Sequence, residues 1–128
     1  MKLEGDAKIL IADDLPEMRV ALRRALARLG FRNVFETADG TEALAALEAN
    51  SDTLLVISDW NMEPMDVLAL LTAVRADVRF QELPFILVSA DAGVNLCDQA
   101  RAAGVSLILP KPFDVEILRQ TIAALDAR

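Results

Sequence analysis

Short continuous apolar runs alternate with helix-patterned stretches along this chain, and that alternation limits the fold more than any other feature. An unbroken run such as Ile9-Leu10-Ile11-Ala12 or Leu54-Leu55-Val56-Ile57-Ser58 suits a strand covered on both faces, as in a parallel sheet. Strands are expected over residues 8–12, 33–36, 54–58, 85–89 and 107–109, the fourth preceded by Pro84 and the fifth stopped by Pro110 and Pro112. Helical periodicity fills the gaps. The first helix, 16–29, has Pro16 in its first turn, Asp14 or Asp13 available as a cap, and Gly30 to stop it. Its Met18, Leu22, Ala25, Leu26 and Leu29 form an apolar stripe opposite Arg19, Arg23, Arg24 and Arg28. Further helices are expected at 39–49 with Leu44 and Leu47 inward, and at 67–76, carrying Leu68, Leu71 and Val74. Two more cover 94–103, ending at Gly104, and 115–127, burying Val115, Leu118, Ile122 and Leu125.

Strands that are each followed by a helix run parallel, joined by right-handed crossovers that place helices on both faces. The expectation is one α/β domain over residues 1–128, with a short N-terminal tail at 1–7 and no effector domain. Its architecture is a three-layer α/β/α sandwich, and its five-stranded parallel sheet takes the flavodoxin-like order 2-1-3-4-5.

Composition narrows the function class. With 54% apolar and 26% charged residues the chain is globular, and no apolar stretch approaches the ~18 residues that cross a bilayer. The first residues lack a signal-peptide pattern, and the single cysteine, Cys97, read as a small buried side chain, points to a cytoplasmic setting. A net charge of −7 argues against nucleic-acid and anionic-membrane partners, which need clustered Lys and Arg. There is no histidine, which removes the commonest general base and transition-metal ligand.

Chemistry concentrates where the strands end. In the expected order, strands 1, 3, 4 and 5 are neighbours, and their carboxyl ends carry Asp13-Asp14, Asp59, Ser89 and Lys111. Ligands of open α/β sheets bind at that rim. Three crowded carboxylates resist full ionisation unless a cation intervenes, and Mg²⁺, a hard ion that takes oxygen ligands and keeps room for phosphate oxygens, meets the need. A carboxylate beside Mg²⁺ can attack a phosphoryl group and form an aspartyl phosphate. The transferring group then needs a second cation, and Lys111 is one of only three lysines. Ser89 supplies a hydroxyl.

The set Asp13-Asp14, Val56-Ile57-Ser58-Asp59-Trp60-Asn61-Met62, Val88-Ser89-Ala90 and Lys111-Pro112-Phe113 resembles the receiver domains of two-component response regulators. It is most similar to stand-alone chemotaxis-type receivers, from about Lys8 to the C-terminus. The resemblance implies that Asp59 is the phosphoacceptor and that Asp13, Asp14, Asp59 and the backbone carbonyl of Asn61 hold Mg²⁺. It makes Ser89 the switch hydroxyl, pairs Lys111 with the acceptor or its phosphoryl group, and implies a cis Lys111-Pro112 bond. Asn61 and Asp91 fall on positions that tune dephosphorylation. The donor would be a histidine kinase or phosphotransfer protein. Output would pass to a downstream protein through the face made by the fourth helix, fifth strand and fifth helix, from a monomer or a phosphorylation-dependent dimer. Such a protein assists its own phosphorylation and dephosphorylation without being an enzyme.

The chain departs from the family pattern at three places. Glu63 stands where Pro is usual, with Pro64 one later, and Val67 stands where Gly is usual. Ile108 takes the place of a switch aromatic, so no ring can swing there. These changes support an alternative, a degenerate receiver that binds partners independently of phosphorylation. A Mg²⁺-dependent phosphohydrolase of the haloacid-dehalogenase type would want Asp-x-Asp on the first strand and a cap domain. A flavin-binding protein of this fold would place a flavin phosphate against the acidic loop Asp13-Asp14-Leu15-Pro16-Glu17. Plainer roles also stand beside the functional ones: capping for Asp13-Asp14, packing or metal reporting for Trp60, and a solvated or acid-docking face for the arginine row.

Overall fold

The computed structural model describes residues 3–59, 67–90 and 94–126. Five strands, β1 (Ile9–Ala12), β2 (Val34–Thr37), β3 (Leu55–Asp59), β4 (Phe85–Ser89) and β5 (Leu107–Pro110), alternate with five α-helices. These are α1 (Pro16–Arg28), α2 (Gly40–Ala49), α3 (Val67–Ala76), α4 (Val94–Ala103) and α5 (Val115–Asp126). All strand pairs are parallel and the order is β2-β1-β3-β4-β5, as the alternation implies.

The unbroken apolar runs are explained by what covers them. Every residue of β1, β3 and β4 is buried. Ile9, Ile11, Leu55, Ile57, Ile86 and Val88 pack on one side with Leu22 and Leu26 of α1 and Leu118 and Ile122 of α5. Leu10, Val56, Phe85 and Leu87 pack on the other with Leu47 of α2, Leu70, Leu71 and Val74 of α3, and Ala100 of α4. The edge strand β2 is buried only at its ends, Val34 and Thr37. Two glycines stop helices as expected: Gly30 and Gly104 have φ of 95° and 103°, where a side chain would be strained.

Several expectations need correction. Neither Asp13 nor Asp14 caps α1: its N-cap is Leu15, which has no side-chain cap, and Asp13 Oδ1 instead accepts from Leu15 N at 2.9 Å. Leu44 and Val115, expected to face inward, are only half-buried, because each lies at the margin of its helix's apolar stripe, while Met18 and Leu29 of the α1 stripe pack against the core as expected. The arginine row is not simply solvated, since Arg19 and Arg23 both engage Glu36 of β2. A short 3-10 turn, Val78–Phe80, went unforeseen; it buries Phe80 and leaves Val78 80% exposed. The strand β5 runs one residue further than expected, Pro110 pairing with Ser89 in register. Within the short N-terminal tail, Leu3 and Ala7 pack against the core and Leu3 N donates to Asp126 Oδ1 at 3.0 Å. Among the described residues no helix is long and apolar enough to cross a membrane.

Candidate functional site

Strand register builds the site. Ala12 of β1 lies opposite Ser58 of β3, so the next residues, Asp13 and Asp59, emerge side by side. Asp59 in turn lies opposite Val88 of β4, whose next residue is Ser89. Lys111 N donates to Ser89 O at 2.9 Å and so carries the β4–β5 ladder one step beyond the strand. Parallel strands all finish at one rim, which is why residues distant in sequence become neighbours there.

The three acids converge as expected: each of Asp13, Asp14 and Asp59 offers a carboxylate oxygen, and these oxygens all lie within 4.8 Å of one another. Asp13 is fully buried and Asp59 is 6% exposed, while Asp14 faces solvent. Lys111 reaches across to Asp59, its Nζ 2.8 Å from Oδ1, with both side chains largely enclosed. Ser89 is buried at the end of β4. The Lys111-Pro112 bond is cis. Trp60, Asn61, Met62, Glu63, Pro64 and Asp91 lie outside the described residues, as does the side chain of Cys97. Val67 opens α3 with its side chain buried, and no described non-glycine residue has positive φ. Ile108 is half-buried against the cluster that α2, α3 and α4 make with the sheet.

Burial is the main reason the Asp13 carboxyl is pushed up to about 6. The Leu15 amide opposes that rise, the Asp59 charge adds to it, Lys111 opposes it, and Asp14 adds a little more. Oδ1 of Asp13 has its partner in Leu15, but Oδ2 is buried with none among the described residues. A buried, unpartnered carboxylate oxygen beside two further acids is what a hard divalent cation would satisfy. The donor set therefore fits Mg²⁺.

One participant escaped the sequence reading. Arg19 Nη1 donates to the backbone carbonyl of Asp13 at 2.6 Å. Helical side chains lean toward the helix N-terminus, so an arginine in the first turn after a strand reaches back over the strand end. That position in α1 was the available signal.

Residues 9–123 match the family of response regulator receiver domains. The chain belongs to this family. It is 41% identical over 121 residues to the chemotaxis protein CheY of Pseudomonas aeruginosa, covering 94% of this chain and 97% of that protein. Among solved structures, the chemotaxis response regulator CheY4 of Vibrio cholerae superposes with a TM-score of 0.87 at 29% identity, covering 94% and 98% of the two chains. The receiver domain of a Pseudomonas aeruginosa sensor histidine kinase, solved with magnesium in its active-site cleft, shares the fold. Its TM-score is 0.86 at 24% identity, with 96% and 99% of the chains covered. This receiver thus belongs to phosphorylation-based two-component signalling of the CheY type, a class of switches rather than of turnover enzymes.

Proposed function

We propose that this receiver accepts a phosphoryl group on Asp59 in a Mg²⁺-dependent reaction and hands the signal on by protein contact. The observation that carries the proposal is the largely enclosed Lys111–Asp59 pair beside an acid trio with a buried oxygen that has no partner among the described residues. Asp13 and Asp14, with Asp59 and the backbone carbonyl of Asn61, would hold the ion. When bound, Mg²⁺ would neutralise charge on the acids and on the phosphoryl oxygens.

The remaining chemistry belongs to the side chains. An oxygen of Asp59 attacks phosphorus as the phosphorus–nitrogen bond to a donor histidine breaks, and the leaving imidazole takes up a proton. Lys111, already aimed at Asp59, is placed to follow the charge from carboxylate to phosphoryl oxygen. Burial strengthens that attraction and limits water. Ser89, next along the rim, would donate to a phosphoryl oxygen and so draw the β4 end toward the site. Ile108 on neighbouring β5 would then repack rather than rotate a ring, altering the α4–β5–α5 face that meets a downstream protein. Asn61 and Asp91 would set the lifetime of the acyl phosphate. The donor is a histidine kinase or phosphotransfer protein, and the setting is cytoplasmic.

Incubation with Mg²⁺ and acetyl phosphate, followed by intact mass, tests this reading. One phosphoryl group should appear on the wild-type chain and none on Asp59→Ala. An unmodified wild-type chain, or an adduct that survives the substitution, refutes it.

A further inference from the structure

We propose that Arg19 is a positioning residue for the magnesium site, fixing the main chain of Asp13 so that one carboxylate oxygen is presented to the cation. The inference rests on the magnesium reading and adds a residue to it. Asp13 is tied at three atoms. Its amide donates to Thr37 O at 3.1 Å, its Oδ1 accepts from Leu15 N at 2.9 Å, and its carbonyl accepts from Arg19 Nη1 at 2.6 Å. Only Oδ2 is left over, and it is the buried oxygen without a partner among the described residues.

A guanidinium this close to a cation site is an unexpected neighbour, because like charges repel. Two features offset that cost. Arg19 aims a donor at the carbonyl of Asp13, and its charge is met by Glu36, whose Oε1 lies 3.5 Å from Nε. Glu36 is itself held by Arg23, Oε2 to Nη1 at 2.6 Å, so the acid on β2 sits between two arginines of α1. The planar fork of Arg19 spans the carbonyl and the carboxylate together, which a lysine's single ammonium does not do. Arg19 therefore links the β1 end, the first turn of α1 and the edge strand β2.

Positioning and charge repulsion make opposite predictions. If Arg19 orients Asp13, removing it weakens Mg²⁺ binding even though a nearby positive charge has gone. If its charge alone matters, removal tightens binding. Calorimetry and Trp60 emission, each titrated with MgCl₂ on the unphosphorylated full chain, distinguish them, with thermal melts of each variant in metal-free buffer. Arg19→Gln should bind Mg²⁺ about tenfold more weakly, as is usual when a group supporting a metal ligand is lost. Arg19→Lys should fall between Arg19→Gln and wild type. A folded Arg19→Gln with unchanged or tighter affinity overturns the proposal.

Should Arg19→Gln fail to fold, Arg19→Lys decides, since it keeps the charge but loses the fork, and wild-type affinity in it overturns the proposal. Glu36→Gln is a second check. Freed from its acid, the guanidinium can turn to the carboxylates and compete with the ion, so affinity should drop several-fold, and wild-type affinity overturns the proposal. A wild-type chain with no Mg²⁺ signal that Asp13→Asn removes defeats the magnesium reading and this inference together. Normal wild-type binding with indifferent Arg19 and Glu36 variants defeats the inference alone.

Discussion

Asp13 carries an electrostatic cost that the Leu15 amide and Lys111 offset only in part. Its carboxyl, pushed up to about 6, holds a proton more tightly in the folded chain than an ordinary carboxyl at 3.8 does. Its contribution to stability is therefore complete below pH 3.8 and is lost as the pH rises through 6. Without divalent ions, Asp13→Asn should stabilise the protein at pH 8 by about 1–3 kcal/mol and leave it little changed at pH 4. Urea denaturation at the two pH values checks this, and a stability loss at pH 8 would contradict it. Lys111 differs because its partner is the proposed nucleophile. Lys111→Ala should slow phosphorylation by acetyl phosphate about 100-fold, the usual loss when one charge-stabilising donor is removed. Rates from intact mass against time report it. Asp13, Asp14, Asp59, Ser89 and Lys111 were legible in sequence because each stands at or just beyond the end of a readable strand. Arg19 was not, because an arginine's side-chain direction depends on how α1 leaves β1, which periodicity does not encode.

Elements were readable where burial made them monotonous. The wholly buried β1, β3 and β4 announce themselves as apolar runs, whereas the edge strand β2 is half-covered and reads less clearly. β1 starts one residue later than expected, and β2 and β3 each shift by one residue. The cap of α1 misled for a physical reason: Asp13 is drawn into the rim and bonds the Leu15 amide, so the helix begins after Leu15 without a side-chain cap. The two left-handed glycines stop helices alike but differ in surroundings. A methyl group on Gly30 meets nothing within 4 Å, while one on Gly104 meets Arg75 Cγ at 3.0 Å and Nε at 3.1 Å. That Nε and Nη2 both donate to Gly104 O, and Nη1 donates to Phe80 O, so Arg75 pins the α4–β5 turn to the end of α3. Gly30→Ala should cost about 1 kcal/mol from backbone strain, and Gly104→Ala about 2 kcal/mol or more because the Arg75 bonds are disturbed as well. Equal losses in urea melts would mean that Arg75 adjusts freely.

For the molecule as a whole, the parallel sheet gathers its chemistry at one rim, where the acid trio and Lys111 lie beside one another. A ligand that binds only the folded state raises its stability by mass action. The thermal midpoint of the wild-type chain should therefore climb with MgCl₂, while that of Asp13→Asn should stay flat. Fold order and rim location were readable from the alternation of elements, but the stretches 60–66 and 90–93, which hold Asn61 and Asp91, carry no periodic signal in the sequence. The most direct measurement is chemical location of the phosphoryl group. After incubation with acetyl phosphate and Mg²⁺, borohydride reduction converts an aspartyl phosphate to homoserine, which peptide mass spectrometry assigns to a residue. Homoserine is expected at position 59 alone, and is lost when EDTA replaces Mg²⁺. Homoserine at another aspartate, or at position 59 regardless of the metal, would contradict Mg²⁺-dependent phosphorylation of Asp59.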